Sequence, residues 1–178
     1  MLYTTGYSSP IGPLTLASDG KGINGLWMQG QKYYAATMKG EVEENGDLPI
    51  FAKAKNWLDA YFSGQKPDIA ELPLSPSGSE FRKSVWKLLC EIPYGQCTTY
   101  ELAQKLAASM NKKSMSSQAV GGAVGHNPIS IIIPCHRVIG SNGSLTGYAG
   151  GISKKIKLLE LEGANMAGFF VPAKGTAL

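Results

Sequence analysis

Hydrophobic and polar positions alternate in short runs over the first thirty residues, then change to helical spacing. "YTTGYSSPIGPLTLASDGKGINGLWM" (residues 3–28) strings short β-prone pieces between Gly, Pro and Asp turns, which predicts a small antiparallel sheet. Phe51, Ala54, Leu58, Tyr61 and Phe62 repeat at helical spacing with Gly64 just beyond, so a helix is expected over 51–62. "KPDIAELPLSPSGSE" loses the periodicity and is rich in Pro and Ser, which marks a linker near 66–79.

The pattern beyond the linker is mainly helical. Phe81, Val85, Leu88, Leu89 and Ile92 form one apolar face that ends at "PYG". "TTYE" (98–101) fits a Ser/Thr-x-x-Glu capping box, which starts a helix with Tyr100 in its first turn and Leu102, Ala103, Leu106, Ala107 and Met110 as its buried stripe. A short polar turn leads to "MSSQAVGGAVGHN", so the pair resembles a helix-turn-helix. "IIIP" (131–134) reads as a buried strand that stops at the proline. The last helix, "ISKKIKLLELEG", carries its apolar arc on Ile152, Ile156, Leu158 and Leu159.

Composition narrows the class. The 178 residues, 43% hydrophobic, suit one large or two small globular domains. No apolar run approaches a membrane span, and the opening stretch lacks a basic segment followed by an apolar one, so neither a membrane anchor nor a secretory signal is expected. Cys90, Cys97, Cys135, His126 and His136 show no zinc-ligand spacing, and three cysteines without a CxxC suit a reducing compartment; no metal or cofactor is expected. Charge is uneven. Residues 1–78 hold six basic against eight acidic side chains, net −2, while residues 79–178 hold eleven against five, net +6. The asymmetry fits a polyanionic partner for the second half.

Three features bear on chemistry. Cys135 is followed directly by His136 and Arg137, and cationic neighbours favour a nucleophilic thiolate; an inert buried cysteine is the alternative. Gly121, Gly122 and Gly125 share one side of their helix with Ser114 and Gln118, opposite Val120, Ala123 and Val124. Each glycine costs a helix about 1 kcal/mol against alanine, so either another helix or a nucleic-acid backbone has to come close there. Glu162 falls between the leucines of the last helix, where a carboxylate needs a partner; it is either an edge residue held by backbone amides or the group that orients His136.

"IPCHRVIG", set in the series NP…PCHRV…GYAGG…EG, closely resembles the active-site motif of the O6-alkylguanine-DNA alkyltransferases, the methylated-DNA–protein-cysteine methyltransferases. The resemblance covers nearly all of residues 81–163. It implies an α+β protein: a small ribonuclease H-like α/β domain (1–76), a mainly helical, winged helix-turn-helix-like domain for DNA binding and alkyl transfer (77–165), and a tail (166–178). It implies Cys135 as the alkyl acceptor, His136 as its activator through a water, Glu162 as the acid that orients the histidine, and Asn127 at the junction of recognition helix and active-site loop. Tyr100, Tyr148, Ala149 and Gly150 match the guanine pocket, with Ala149 where the family often has serine. Ser114, Gln118, Ala119, Gly121, Gly122, Gly125 and Arg137 match the DNA-binding set, with Gln118 where many members carry an arginine that fills the gap left by the flipped nucleotide.

The implied activity is a stoichiometric, irreversible transfer from O6-alkylguanine, and O4-alkylthymine, in the minor groove of double-stranded DNA, by a monomer without cofactor or membrane contact, in the cytoplasm (or nucleus of a eukaryote). A cysteine hydrolase and a lesion-binding module without chemistry are the rival classes.

Overall fold

The computed structural model describes residues 1–99, 101–145 and 147–173. It divides into two compact units, the first made of residues 1–78 and 128–132, the second of 79–127 and 133–178. The family-based division at 76/77 therefore differs in one respect: Pro128–Ile132 belong with the first unit.

In the first unit, β1 (Leu2–Ser9), β2 (Gly12–Ser18) and β3 (Ile23–Met28) form an antiparallel meander, and β4 (Val42–Glu44) joins β1 in parallel, giving the order β3-β2-β1-β4. Helix α1 (Pro49–Phe62) covers the sheet with Phe51, Ala54, Trp57, Leu58 and Tyr61, all buried against the interior that Leu14, Leu16, Leu26 and Met28 supply. Pro49 at the start is preorganised for the first turn. Trp27 folds back over Gly25, where even a Cβ would lie 1.9 Å from the indole ring.

The expected linker is tied down in part: Ile23 and Leu74 form a parallel bridge, with Ile23 N–H donating to Pro73 O and Ser75 N–H to Ile23 O. The expected strand at 131–134 does not form. Ile129 makes a single bridge to Leu26, and the chain then turns sharply. Ile131 stands at φ 73 with Ile132 N–H closed onto Ser130 O, a strained γ-turn for a β-branched residue. The isoleucines are buried, as their apolarity demands, but in a folded-back turn rather than an extended run.

The second unit is built on α2 (Glu80–Cys90), α3 (Glu101–Ser109), α4 (Ser117–Gly125) and α5 (Ile152–Leu161). Ser79 caps α2 by accepting from Arg82 N–H, and Ser116 caps α4 by accepting from Ala119 N–H. Trp86, which the spacing of α2 did not single out, is buried and donates Nε1–H to Ala123 O, locking α2 to α4. The capping box at 98–101 is not made by Thr98, whose backbone is engaged by Arg137 and Ile139; Thr99 Oγ1 accepts from Glu101 N–H instead, at 3.5 Å. Met110 lies past the end of α3 and is exposed.

The expected separate tail is structured as far as Phe170. Leu145 N–H donates to Phe170 O and Phe170 N–H to Gly143 O, while Met166 and Phe169 pack on Ile139, Leu145 and Leu159.

Candidate active site

Cys135 is presented by two tight turns in succession. Pro134 (φ −83, ψ 62) forms an inverse γ-turn, closed by Cys135 N–H onto Ile133 O at 2.8 Å. Cys135–Arg137 then make a single 3₁₀ turn, closed by Val138 N–H onto Cys135 O. The far side of this turn is pinned to the segment before α3: Thr98 N–H donates to Arg137 O and Ile139 N–H to Thr98 O. At about 120° per residue, a 3₁₀ turn sends Cys135, His136 and Arg137 in three different directions.

Each of those directions has a partner. Asn127, buried just beyond the C-cap of α4, donates Nδ2–H to Ile133 O at 2.8 Å and to Cys135 Sγ at 3.1 Å. One side chain thus holds both the turn and the sulfur. His136 is fully buried and its Nε2 lies 2.6 Å from Glu162 Oε1. Arg137 donates Nε–H to Glu162 Oε2 at 2.9 Å, Nη2–H to Oε1 at 3.0 Å and Nη1–H to Ile92 O at 2.6 Å. Glu162 also accepts the N–H of Gly95 at 3.0 Å. Gly95 has φ 76, and a Cβ there would meet the Glu162 carbonyl at 2.7 Å, so no other residue fits this approach.

Arg137 therefore departs from its expected place among the DNA contacts. It is 5% exposed, with its guanidinium committed to Glu162 in the bidentate form that suits a carboxylate. The anomaly of a carboxylate on the last helix has a fuller answer than His136 alone: Glu162, at the C-cap of α5, neutralises a buried arginine and clamps a buried histidine together.

The electrostatics follow from burial. Burial raises the Cys135 thiol above the ordinary range, opposed by the hydrogen bond from Asn127 and the charge of Lys155. Sequence adjacency to His136 and Arg137 is thus not what activates the sulfur, because burial keeps the imidazole neutral and Arg137 turns to Glu162. Burial likewise pushes His136 down, against the pull of Glu162, which leaves it competent as a base at neutral pH. Burial works against ionising Glu162, but the hydrogen bonds from His136 and Arg137 outweigh it and hold the carboxyl well below the carboxylate range. Tyr148 is buried with its ring 6.5 Å from that of His136, edge-on; burial and the nearby Cys135 and Glu162 raise its hydroxyl far up, so it remains a donor. Cys90 and Cys97 are half-buried, and burial raises both thiols, Cys90 to about 11.

Ala149 and Gly150 follow Tyr148 and are half-buried. Tyr100 lies outside the described residues. On α4, Val120, Ala123 and Val124 are buried, while Ser114, Gln118, Ala119 and Gly122 are exposed and Gly121 and Gly125 half-buried. A Cβ on Gly122 or Gly125 would meet nothing within 4 Å, so these glycines are not there to let another helix in.

Lys155 was not anticipated. It is 1% exposed and its ammonium donates to Val138 O, just after the turn that carries Cys135. Burial lowers it to about 8, with Cys135 and Cys97 opposing the shift. Its position is a readable signal, since Ile152, Lys155, Leu159 and Glu162 fall on one face of α5 at i, i+3, i+7 and i+10. Among the described residues no group of three or more metal-ligating side chains converges, and no helix is long and apolar enough to cross a membrane.

Comparison with known proteins agrees with this geometry. The family model described as "6-O-methylguanine DNA methyltransferase, ribonuclease-like domain" matches residues 1–76, and that described as "6-O-methylguanine DNA methyltransferase, DNA binding domain" matches residues 80–164. The methylated-DNA–protein-cysteine methyltransferase of Methanosarcina barkeri is 48% identical over 159 residues, covering 89% of this chain and 95% of its own. That of Haemophilus influenzae is 43% identical over 162 residues, covering 90% and 86%. Among solved structures, Mycobacterium tuberculosis OGT in complex with DNA superposes with a TM-score of 0.76 at 42% identity, covering 90% of this chain and 92% of that one. Profile, identity and a thiol framed by asparagine, histidine and glutamate lead to one assignment: the chain belongs to the methylated-DNA–protein-cysteine methyltransferase family.

Proposed function

We propose that this DNA-repair alkyltransferase takes the alkyl group of O6-alkylguanine, and that of O4-alkylthymine, directly onto Cys135, one lesion per protein molecule. The observation that carries the reading is the continuous chain Arg137–Glu162–His136 beside a thiol held by Asn127. Glu162 is anionic at neutral pH and occupies Nε2 of His136, so Nδ1 is the nitrogen that exchanges the proton. The neutral imidazole removes the Cys135 proton through a bridging water, and Glu162 stabilises the imidazolium that results. The Asn127 amide donates to the sulfur as its charge develops. The thiolate attacks the alkyl carbon, the O6–carbon bond breaks, and the guanine leaves with that electron pair and gains a proton. The product thioether has no carbonyl for water to reopen, so the protein is consumed.

Reaching the base requires flipping it out of the duplex, at a few kcal/mol. The bare face of α4 suits the minor groove, and the DNA complex of the M. tuberculosis relative supports a duplex as partner. Gln118 is the side chain on that face placed to fill the vacated stack, Tyr148, Ala149 and Gly150 line the base pocket, and Tyr100 completes it. The protein acts as a monomer in the cytoplasm. Ser114, Ala119 and Gly121 flank the groove contact.

Intact mass spectrometry after mixing with a duplex containing O6-methylguanine tests this. One methyl group is expected on Cys135, absent in Cys135→Ser, with repair reaching a plateau at one lesion per molecule. Continued product at substoichiometric protein would instead mean a hydrolase, and tight binding without mass gain a lesion sensor.

A further inference from the structure

The buried charges around Cys135 nearly cancel, and the one left over is informative. Arg137 and Glu162 neutralise each other, and burial keeps His136 uncharged. Lys155 remains. Its ammonium sits on the Val138 carbonyl at the end of the Cys135 turn, on a helix that packs against that turn. Its charge acts on Cys135, on Cys97 from the loop before α3, and on His136. Tyr148, the remaining titratable group beside Cys135, is held as a neutral phenol. With a thiol at Cys135 the cluster therefore carries +1; with a thiolate it is neutral. An isolated buried charge is costly, so the lysine favours the thiolate.

The same count changes once the alkyl group arrives. A thioether carries no charge, and a protonated Lys155 would then leave the cluster at +1 again. Burial already holds this ammonium down to about 8 with Cys135 pulling the other way, and losing that anion lowers it further.

Resting on the transfer proposed above, we infer that Lys155 is the counter-cation of the Cys135 thiolate and the proton store of the reaction: it balances the sulfur before transfer and ends as a neutral amine. The step balances in atoms and charge. Thiolate, Lys155 ammonium and O6-methylguanine become methyl thioether, Lys155 amine and guanine; the S–C bond forms, the O6–C bond breaks, and the lysine's proton offsets the charge of the departing base.

Three variants and one spectroscopic measurement test it. Thiolate formation is followed by the pH dependence of iodoacetamide alkylation at Cys135. Lys155→Met is expected to move that profile upward by about one to three pH units, the range an opposite charge at 4–6 Å produces, with wild-type reactivity recovered at high pH. Lys155→Arg is expected to keep the low profile but, unable to lose its proton, to suffer the largest fall in Tm on methylation. The fall is expected to be smaller in wild type and smallest in Lys155→Met. In the wild-type chain, ¹³C and ¹⁵N shifts of the Lys155 side chain are expected to change from ammonium to amine on methylation at pH 7, a reading that needs no variant to fold. An ammonium in the methylated protein, or an unmoved profile in Lys155→Met, overturns the inference while leaving the transfer reading intact. Absence of a methyl on wild-type Cys135 overturns both.

Discussion

Two regions of the second unit contrast sharply. The outer face of α4 carries glycines where alanine would fit without touching anything, and its side chains lie in the open. The turn at Cys135–Arg137 has every side chain buried, with ionisable groups packed at hydrogen-bond distance. The first region gives up helix stability to keep a surface bare, which suits docking against a partner. The second accepts the desolvation of an arginine, a lysine, a glutamate and a histidine, because only a water-poor site lets a few charges control the protonation of one sulfur. Removing atoms from the second should therefore be costly to fold and chemistry together, whereas adding atoms to the first should help the fold and harm only function.

The largest effect is expected from Glu162. Glu162→Gln leaves Arg137 buried without its anion, and breaking such a pair costs about 3–5 kcal/mol. The transfer rate should fall about 10²–10⁴-fold, the usual contribution of general acid–base catalysis. Denaturant unfolding and single-turnover kinetics check the two. Adding Arg137→Met should recover much of the stability but not the rate; recovery of both would reduce the carboxylate to a structural partner.

Acid should act on the same group. The folded-state pKa of Glu162 lies below its unfolded value of about 4.3, so its contribution to stability is present above that value and is lost as pH falls beneath it. A wild-type Tm that drops below pH 4, with a flatter profile in Glu162→Gln, is expected. Lys155 acts at the other end. Its folded value of about 8 lies below the usual 10.4, so it adds stability as pH rises between the two, while the raised thiols of Cys90 and Cys135 act in the opposite sense. The wild-type minus Lys155→Met difference isolates the lysine and should climb over that window.

On the open face the sign reverses. Gly122→Ala should raise unfolding stability by about 1 kcal/mol, since the helix gains propensity and the Cβ meets no neighbour. Duplex binding should weaken in the same variant. A gain in stability with unchanged DNA affinity would end the groove assignment. The smallest effect is expected at Gln118. Gln118→Arg should tighten duplex binding and steepen the salt dependence by about one phosphate-equivalent, measured by titration at several salt concentrations. Gln118→Ala should slow repair of duplex DNA more than transfer from a free alkylguanine base.

Much of this was legible in one dimension. The meander, α1, α2, α4 and α5 follow from periodicity and turn residues, because an amphipathic element has a single face it can bury. Cys135, His136, Asn127 and Glu162 stand out through the resemblance of their motif. The pairing of Glu162 with His136 was also available as one of two answers to a carboxylate on an apolar arc. The errors share a cause: each assumed that neighbours in sequence are neighbours in action. Arg137 looked like a contact for DNA and is an internal partner of Glu162. Thr98 looked like a helix cap and is spent on the Cys135 turn. "IIIP" looked extended and is folded back through a strained turn at Ile131.

By itself, then, the sequence determined which helices form, which faces they bury and which cysteine belongs to the chemistry, since local propensity and apolar spacing act over a few residues. Only the tertiary structure decided the state of that chemistry. The direction of a pKa depends on how much water is excluded and on which charge lies within a few ångströms, and those charges come from positions 95, 127, 155 and 162, far apart along the chain.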